Sequence, residues 1–183
     1  MTRLRHPALI TVCALALSAC AGDAPATDTA VTDPAVAQAP ADATPAEIAA
    51  EVAPYDGPAA EITLTPVGEL MEYEQTEFTV HPGQTVRLTF ENTATQEAMH
   101  HNVVVLQQNA SVNDVGQAAM SAAETDYVPA GFDDQIIAYT PMSAPGETVT
   151  VEFTAPAEGD YTYICTFPGH YMMMQGTMHV VAA

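Results

Sequence analysis

Residues 165–174 read CTFPGHYMMM. One cysteine, one histidine and three consecutive methionines crowd into ten positions, and the Pro168-Gly169 pair between them marks a turn. Upstream, DYTYICT at 160–166 has the β-branched and aromatic content of a strand; downstream, GTMHVV at 176–181 has it again. The stretch therefore reads as a loop between two strands, with Cys165 closing the first and His170 out in the loop. An unpaired thiol at such a place needs a reason.

The other two cysteines sharpen that question. The chain opens MTRLRHPALITVCALALSAC, with Arg3 and Arg5 before an apolar run from Ala8 to Ala19. A dozen apolar residues are too few for a span of roughly 20 and fit the central region of an export signal. The run ends Leu17-Ser18-Ala19-Cys20, which resembles the bacterial lipobox and implies cleavage before Cys20 and lipidation of its thiol. Residues 1–19 are thus expected to be a lipoprotein signal peptide, which removes Cys13 and leaves Cys165 as the one unmodified cysteine. Several acyl chains anchor firmly where a single one is marginal. In the oxidising space that export implies, a lone thiol invites unwanted pairing unless it is buried or used.

Charge excludes one class of partner. The chain carries 23 acidic residues, no lysine and three arginines, for a formal net charge of −20. Beyond the signal Arg87 is the sole Lys/Arg. Nucleic acid is excluded, because phosphate attraction needs basic groups. A solvated acidic surface or a partner with a basic face fits this balance. Residues 20–60 are Ala, Pro, Asp and Thr without an apolar period. They read as a lipidated Cys20 followed by a disordered tether, spanning about 35 Å as a flexible coil.

From Glu61 the texture changes. EITLTPV, EFTV, TVRLTFEN, HNVVVL, QIIAYT, ETVTVEFTA, DYTYICT and GTMHVV read as strands broken by turn signals, HPGQ at 81–84 among them. SVNDVGQAAMSAAET at 111–125 reads as a short helix capped by Ser111. Seven or eight strands in residues 61–183, with one short helix inserted between strands, predict an all-β fold, an antiparallel Greek-key β-sandwich around one core.

On that frame, MHHNVVV puts His101 at the start of a strand, CTFPGH supplies Cys165 and His170, and a methionine follows closely. A thiolate, two imidazoles and a weak thioether form the donor set of a blue-copper site. Thiolate and thioether favour Cu(I), imidazoles also suit Cu(II), and a rigid sandwich limits reorganisation between the two. The spacing Cys-x4-His-x3-Met, the loop CTFPGH, the upstream His-Asn pair and the segment DYVPAGFDDQIIAYTPMSAPGETVTVEF together resemble the cupredoxins, and among them the azurins and auracyanins. The resemblance covers nearly all of 61–183.

That resemblance implies one type 1 copper ion bound by His101, Cys165, His170 and, axially, Met174. Asn102 would brace the ligand loop, and Thr166 and Phe167 would tune the thiolate. The azurins have glycine where this chain has His100, whose backbone carbonyl is a possible remote contact. Strand alternation turns the His100 side chain away from His101. Met174 has the azurin spacing and Met173 would need a tightened loop, so the register is open by one residue. Met99, Phe167, Pro168, Gly169, Met172 and Met173 would ring the His170 edge as an apolar docking patch. Met71 joins by a looser alignment. His81 and His179 read as surface residues, and Met120 as helix packing.

Two functions follow for test. One is a membrane-anchored carrier of single electrons in the bacterial cell envelope, not an enzyme, with the domain in the periplasm or extracytoplasmic space. It would be a monomer serving redox proteins such as cytochromes or membrane electron-transfer complexes. The alternative is copper handling, with the methionine run storing or delivering the ion. A multicopper or binuclear enzyme lacks its ligands here: there is no His-x-His cluster and no second nearby cysteine.

Overall fold

A computed structural model describes residues 52–183. The signal segment 1–19, Cys20 and the tether as far as residue 51 lie outside the described residues. Eight strands form, β1 (Ala60–Leu64), β2 (Glu77–Val80), β3 (Thr85–Glu91), β4 (Val104–Leu106), β5 (Ile136–Tyr139), β6 (Thr148–Thr154), β7 (Gly159–Ile164) and β8 (Gln175–Val180). They make two sheets, β1-β3-β6 and β2-β8-β7-β4-β5, with α1 (Val112–Ala119) between β4 and β5.

The expected sandwich is present, but it is not wholly antiparallel. β1 runs parallel to β3 and β2 parallel to β8. Hairpin signals such as HPGQ report only local reversals. Here the chain leaves β2 through His81–Gln84 and enters β3 in the opposite sheet, so this turn joins layers rather than neighbours. The predicted 111–125 helix also splits. α1 ends at Ala119, and a 3-10 turn occupies Ala123–Thr125. Ser111 caps α1 as expected, its side chain accepting from the Asp114 N–H at 3.2 Å.

The main core lies between the sheets. Leu64, Val86, Leu88 and Phe90 from one face meet Val103, Val105, Tyr161, Tyr163 and Met178 from the other. A second, smaller cluster lies outside the larger sheet, where Val104, Leu106 and Ile164 pack with Val115 of α1 and with Tyr171. Side-chain alternation therefore sends odd-numbered residues of 103–106 inward and even-numbered ones under the helix. This is why VVVL carries no polar alternation: both faces are buried. Full burial of such side chains contributes about 1.5–3 kcal/mol each.

The registers place the carboxyl ends of β1, β3 and β7 and the start of β8 at one pole, since Leu64 pairs Phe90 and Ile164 pairs both Val104 and Gln175. At that pole the loops are cross-linked. The Tyr73 hydroxyl donates to the Asn102 carbonyl at 2.6 Å, and Asn92 Nδ2 donates to the Ser143 carbonyl at 3.0 Å. At the other pole Tyr55 stacks on His81, and Gln84 Nε2 donates to the Pro58 carbonyl at 2.9 Å. Among the described residues no helix is long and apolar enough to cross a membrane.

Candidate metal centre

The loop 165–174 is shaped by its own backbone chemistry. Phe167-Pro168-Gly169-His170 is a β-turn, with Gly169 at φ 85° and the His170 N–H donating to the Phe167 carbonyl at 3.0 Å. Proline and then glycine in the two central positions suit a type II turn, which needs φ > 0 at the second. The His170 carbonyl then accepts from the Met173 and Met174 N–H groups, at 3.0 and 2.8 Å. The Cys165 N–H donates to the Met174 carbonyl at 3.0 Å, so the ends of the loop are tied together. These bonds fold His170 back over Cys165.

His101 arrives from the other direction. It is not within β4, as the sequence suggested, but in an isolated bridge to Ser143 just before it. The His101 N–H donates to Ser143 O at 3.1 Å and Ser143 N–H returns a bond to His101 O at 2.8 Å. Asn92 Nδ2 also donates to the Met99 carbonyl at 2.8 Å, pinning the segment ahead of it.

His101, Cys165 and His170 converge, all buried. His101 Nδ1 and His170 Nδ1 lie 3.2 Å apart, and Cys165 Sγ lies 3.8 and 3.7 Å from them. A point equidistant from the three atoms lies about 2.1 Å from each, matching metal–imidazole lengths and just inside a metal–thiolate length. Three inward-facing donors at that spacing fit one metal ion. A soft thiolate with two imidazoles is the donor set that suits copper.

Burial controls the protonation of all three. It lowers His101 to about 4, assisted by the charge of His170, and it lowers His170 as well. Both rings are therefore neutral at pH 7, with lone pairs free for a metal. Burial also pushes the Cys165 thiol up to about 12, partly opposed by the N–H groups of Asn102 and Phe167 directed at its sulfur. Without a metal this thiol stays protonated and unreactive; a coordinating ion displaces the proton. Nε2 of His101 is buried with no partner. Metal-binding imidazoles usually donate from their second nitrogen, so this ring is held by packing instead, against Phe90 at 6.0 Å.

Asn102 links the two ligand segments. Its Oδ1 accepts from the Thr166 N–H at 2.8 Å and its Nδ2 donates to Thr166 Oγ1 at 2.8 Å. Phe167 is half-buried among three rings, stacked with His100 at 5.7 Å and edge-on to Tyr127 at 5.4 Å and His170 at 4.9 Å. Met174 is fully buried in the main core. Met172 and Met173 are 67% and 66% exposed, and Gly169 is exposed beside them. Met99, His100 and Pro168 are half-buried.

Some contributors escaped the sequence reading. Ser143 and Tyr127 lie within 126–153, a stretch that carries the resemblance without singling out either residue. Glu69, whose charge acts on His101, accepts from the Thr95 N–H at 2.8 Å and from Thr95 Oγ1 at 2.7 Å. Only Gly116, an unfavourable residue in the middle of a helix, offered a signal.

Comparison with known proteins agrees with the geometry. Residues 60–181 match the copper binding proteins of the plastocyanin/azurin family. The chain is similar to Auracyanin-A of Chloroflexus aurantiacus, 42% identical over 114 residues, covering 62% of this chain and 69% of that protein. It is also similar to Auracyanin-B of that organism, 34% identical over 67% of this chain and 53% of the relative, about half its length. The crystal structure of dithionite-reduced auracyanin from Roseiflexus castenholzii superposes with a TM-score of 0.62 at 41% identity, over 68% of this chain and 99% of that one.

Proposed function

The chain belongs to the plastocyanin/azurin family of copper-binding proteins, and we propose that it is a membrane-anchored carrier of single electrons rather than an enzyme. The observation that carries this reading is the buried triangle of His101 Nδ1, His170 Nδ1 and Cys165 Sγ, all three atoms within reach of one ion. Copper held by His101, His170 and Cys165 would supply one-electron redox chemistry between Cu(II) and Cu(I). Met174, fully buried and hydrogen-bonded through its backbone to both Cys165 and His170, is proposed as the residue that would supply the weak thioether donor. The carbonyl of His100 is the candidate for a further remote contact.

The protein's own part is to hold these donors still. The ligand loop is closed by the Cys165–Met174 bond, and Asn102 fastens it to the segment bearing His101. Donors that keep their places through both oxidation states avoid the reorganisation that slows electron transfer. His170 is the most exposed of the three donors, at 6%, and the exposed Met172 and Met173 with the half-buried Phe167 and Pro168 of its own loop are proposed as its docking rim. Flexible, polarisable methionines suit brief docking with redox partners such as cytochromes. The signal-like start and Cys20 support export and a lipid anchor, with the domain in the envelope space.

The test is a visible absorption titration of the copper-free protein with Cu(II). An intense blue band saturating at one equivalent, and lost in Cys165→Ser, is the expected result. Weak colour, or binding that continues past one equivalent through the exposed methionines, would replace the carrier with a copper-handling protein.

A further inference from the structure

We infer that Gly116, on a helix that carries no ligand, is a positioning residue of the copper site, acting on His170 through the ring of Tyr171. The inference rests on the metal-site reading above. α1 holds Gly116 in its middle, where alanine would make a better helix. The reason for glycine is space. A Cβ built at Gly116 would lie 2.2 Å from Cγ of Tyr171 and 2.3 and 2.6 Å from its two Cδ atoms. Real Cβ contacts are essentially never below 3.0 Å, so the helix backbone sits directly on the root of the Tyr171 ring. Gly116 has no positive φ to demand glycine.

Tyr171 immediately follows His170. Its ring is buried with Val104, Leu106, Val115 and Ile164 in the outer cluster, while Cys165 and Met174 belong to the main core. The ligand loop is thus seated in two cores at once, and Tyr171 is its foot in the outer one. Gln175 Nε2 donates to the Tyr171 carbonyl at 2.7 Å, fixing the peptide on the other side of the ring. With that peptide held, a displacement of the ring is passed back to the 170–171 linkage. There it changes the 3.7 Å separation of His170 Nδ1 from Cys165 Sγ. Close-packed interiors transmit such shifts because no free volume absorbs them.

Both Gly116→Ala and Tyr171→Ala disturb the seat, the first by pushing the ring and the second by removing it. Each is expected to weaken Cu(I) binding about 10–100-fold, the range for residues supporting a ligand, read by competition with bicinchoninate using the full chain. In the double variant, where alanine at 171 lacks the Cγ and Cδ atoms that the new methyl group meets, the loss is expected to equal that of Tyr171→Ala alone. Gln117→Ala, exposed on the same helix, is expected to change nothing. The second reading is the His170 ring resonances in the NMR spectrum of the metal-free protein, which Gly116→Ala moves if the brace is real.

Affinity within twofold of the original in Gly116→Ala, with unmoved His170 resonances, overturns the inference. So does additive loss in the double variant. If Gly116→Ala does not fold, Tyr171→Ala decides by the same two readouts. If the unmodified protein binds no copper, the carrier reading fails, and the ring resonances alone settle the brace.

Discussion

Replacing Asn102 by leucine tests what holds the two ligand segments together. Asn102 and Thr166 are both fully buried, and two contacts of 2.8 Å join them, from the Thr166 N–H to Oδ1 and from Nδ2 to Thr166 Oγ1. Leucine has similar size and neither partner atom. It leaves a buried backbone donor and a buried hydroxyl without their asparagine, at about 1–3 kcal/mol for each stranded group. The total of about 2–6 kcal/mol, at roughly 3–5 °C per kcal/mol for a domain of this size, corresponds to a melting temperature lower by about 6–30 °C. Thermal unfolding of the copper-free protein, followed by circular dichroism, measures it. Thr166→Val is the graded control. It keeps the N–H to Oδ1 bond and leaves the asparagine Nδ2 only its long 3.4 Å contact with the Asp126 carbonyl, so it is expected to cost about 1–2 kcal/mol. A melting temperature for Asn102→Leu within about 3 °C of the original, or a larger loss in Thr166→Val than in Asn102→Leu, would refute the reasoning.

Three further expectations concern the axial position, the surface and the partner. Met174→Leu is expected to keep the blue colour and raise the reduction potential, since a thioether donor is lost while the thiolate stays. The same behaviour from Met173→Leu but not from Met174→Leu, by redox titration, would move the axial assignment by one residue. His179 lies with Nδ1 2.6 Å from Asp160 and Nε2 3.3 Å from Glu77, and hydrogen bonding to Asp160 is the first cause raising its pKa. Its contribution to stability is therefore complete below about pH 6.5 and is lost as pH rises through the higher folded value. An NMR titration midpoint at or below 6.5 contradicts this, as does an unchanged pH profile in His179→Gln. Finally, Glu72, Glu97 and Asp126 are exposed on the loops of the ligand pole, and Arg87, the sole Lys or Arg among the described residues, stands on β3 near Glu61. Electron exchange with a basic cytochrome is expected to slow as salt screens these charges over about 10 Å. A rate independent of ionic strength, or insensitive to Glu72→Gln with Glu97→Gln and Asp126→Asn, would point to purely apolar docking.

The sequence by itself determined most of the chemistry. Cys165, His170 and the turn between them are local, so their spacing could be read directly, and Pro168-Gly169 encodes the reversal that brings the imidazole over the thiol. His101 was legible through its neighbour Asn102, and the strands through their β-branched runs. Tertiary structure decided what spacing cannot express. The parallel pairs β1/β3 and β2/β8 join residues through the opposite sheet, and no local signal encodes that. The bridge of His101 to Ser143 and the ring cluster around Phe167 depend on loops distant in sequence. The double burial of 103–106 needed α1 in place on the outer face. Gly116 shows the division most plainly. Its oddness in a helix is visible in the sequence, but the reason for it, the ring of Tyr171 fifty-five positions on, exists only once the chain has folded.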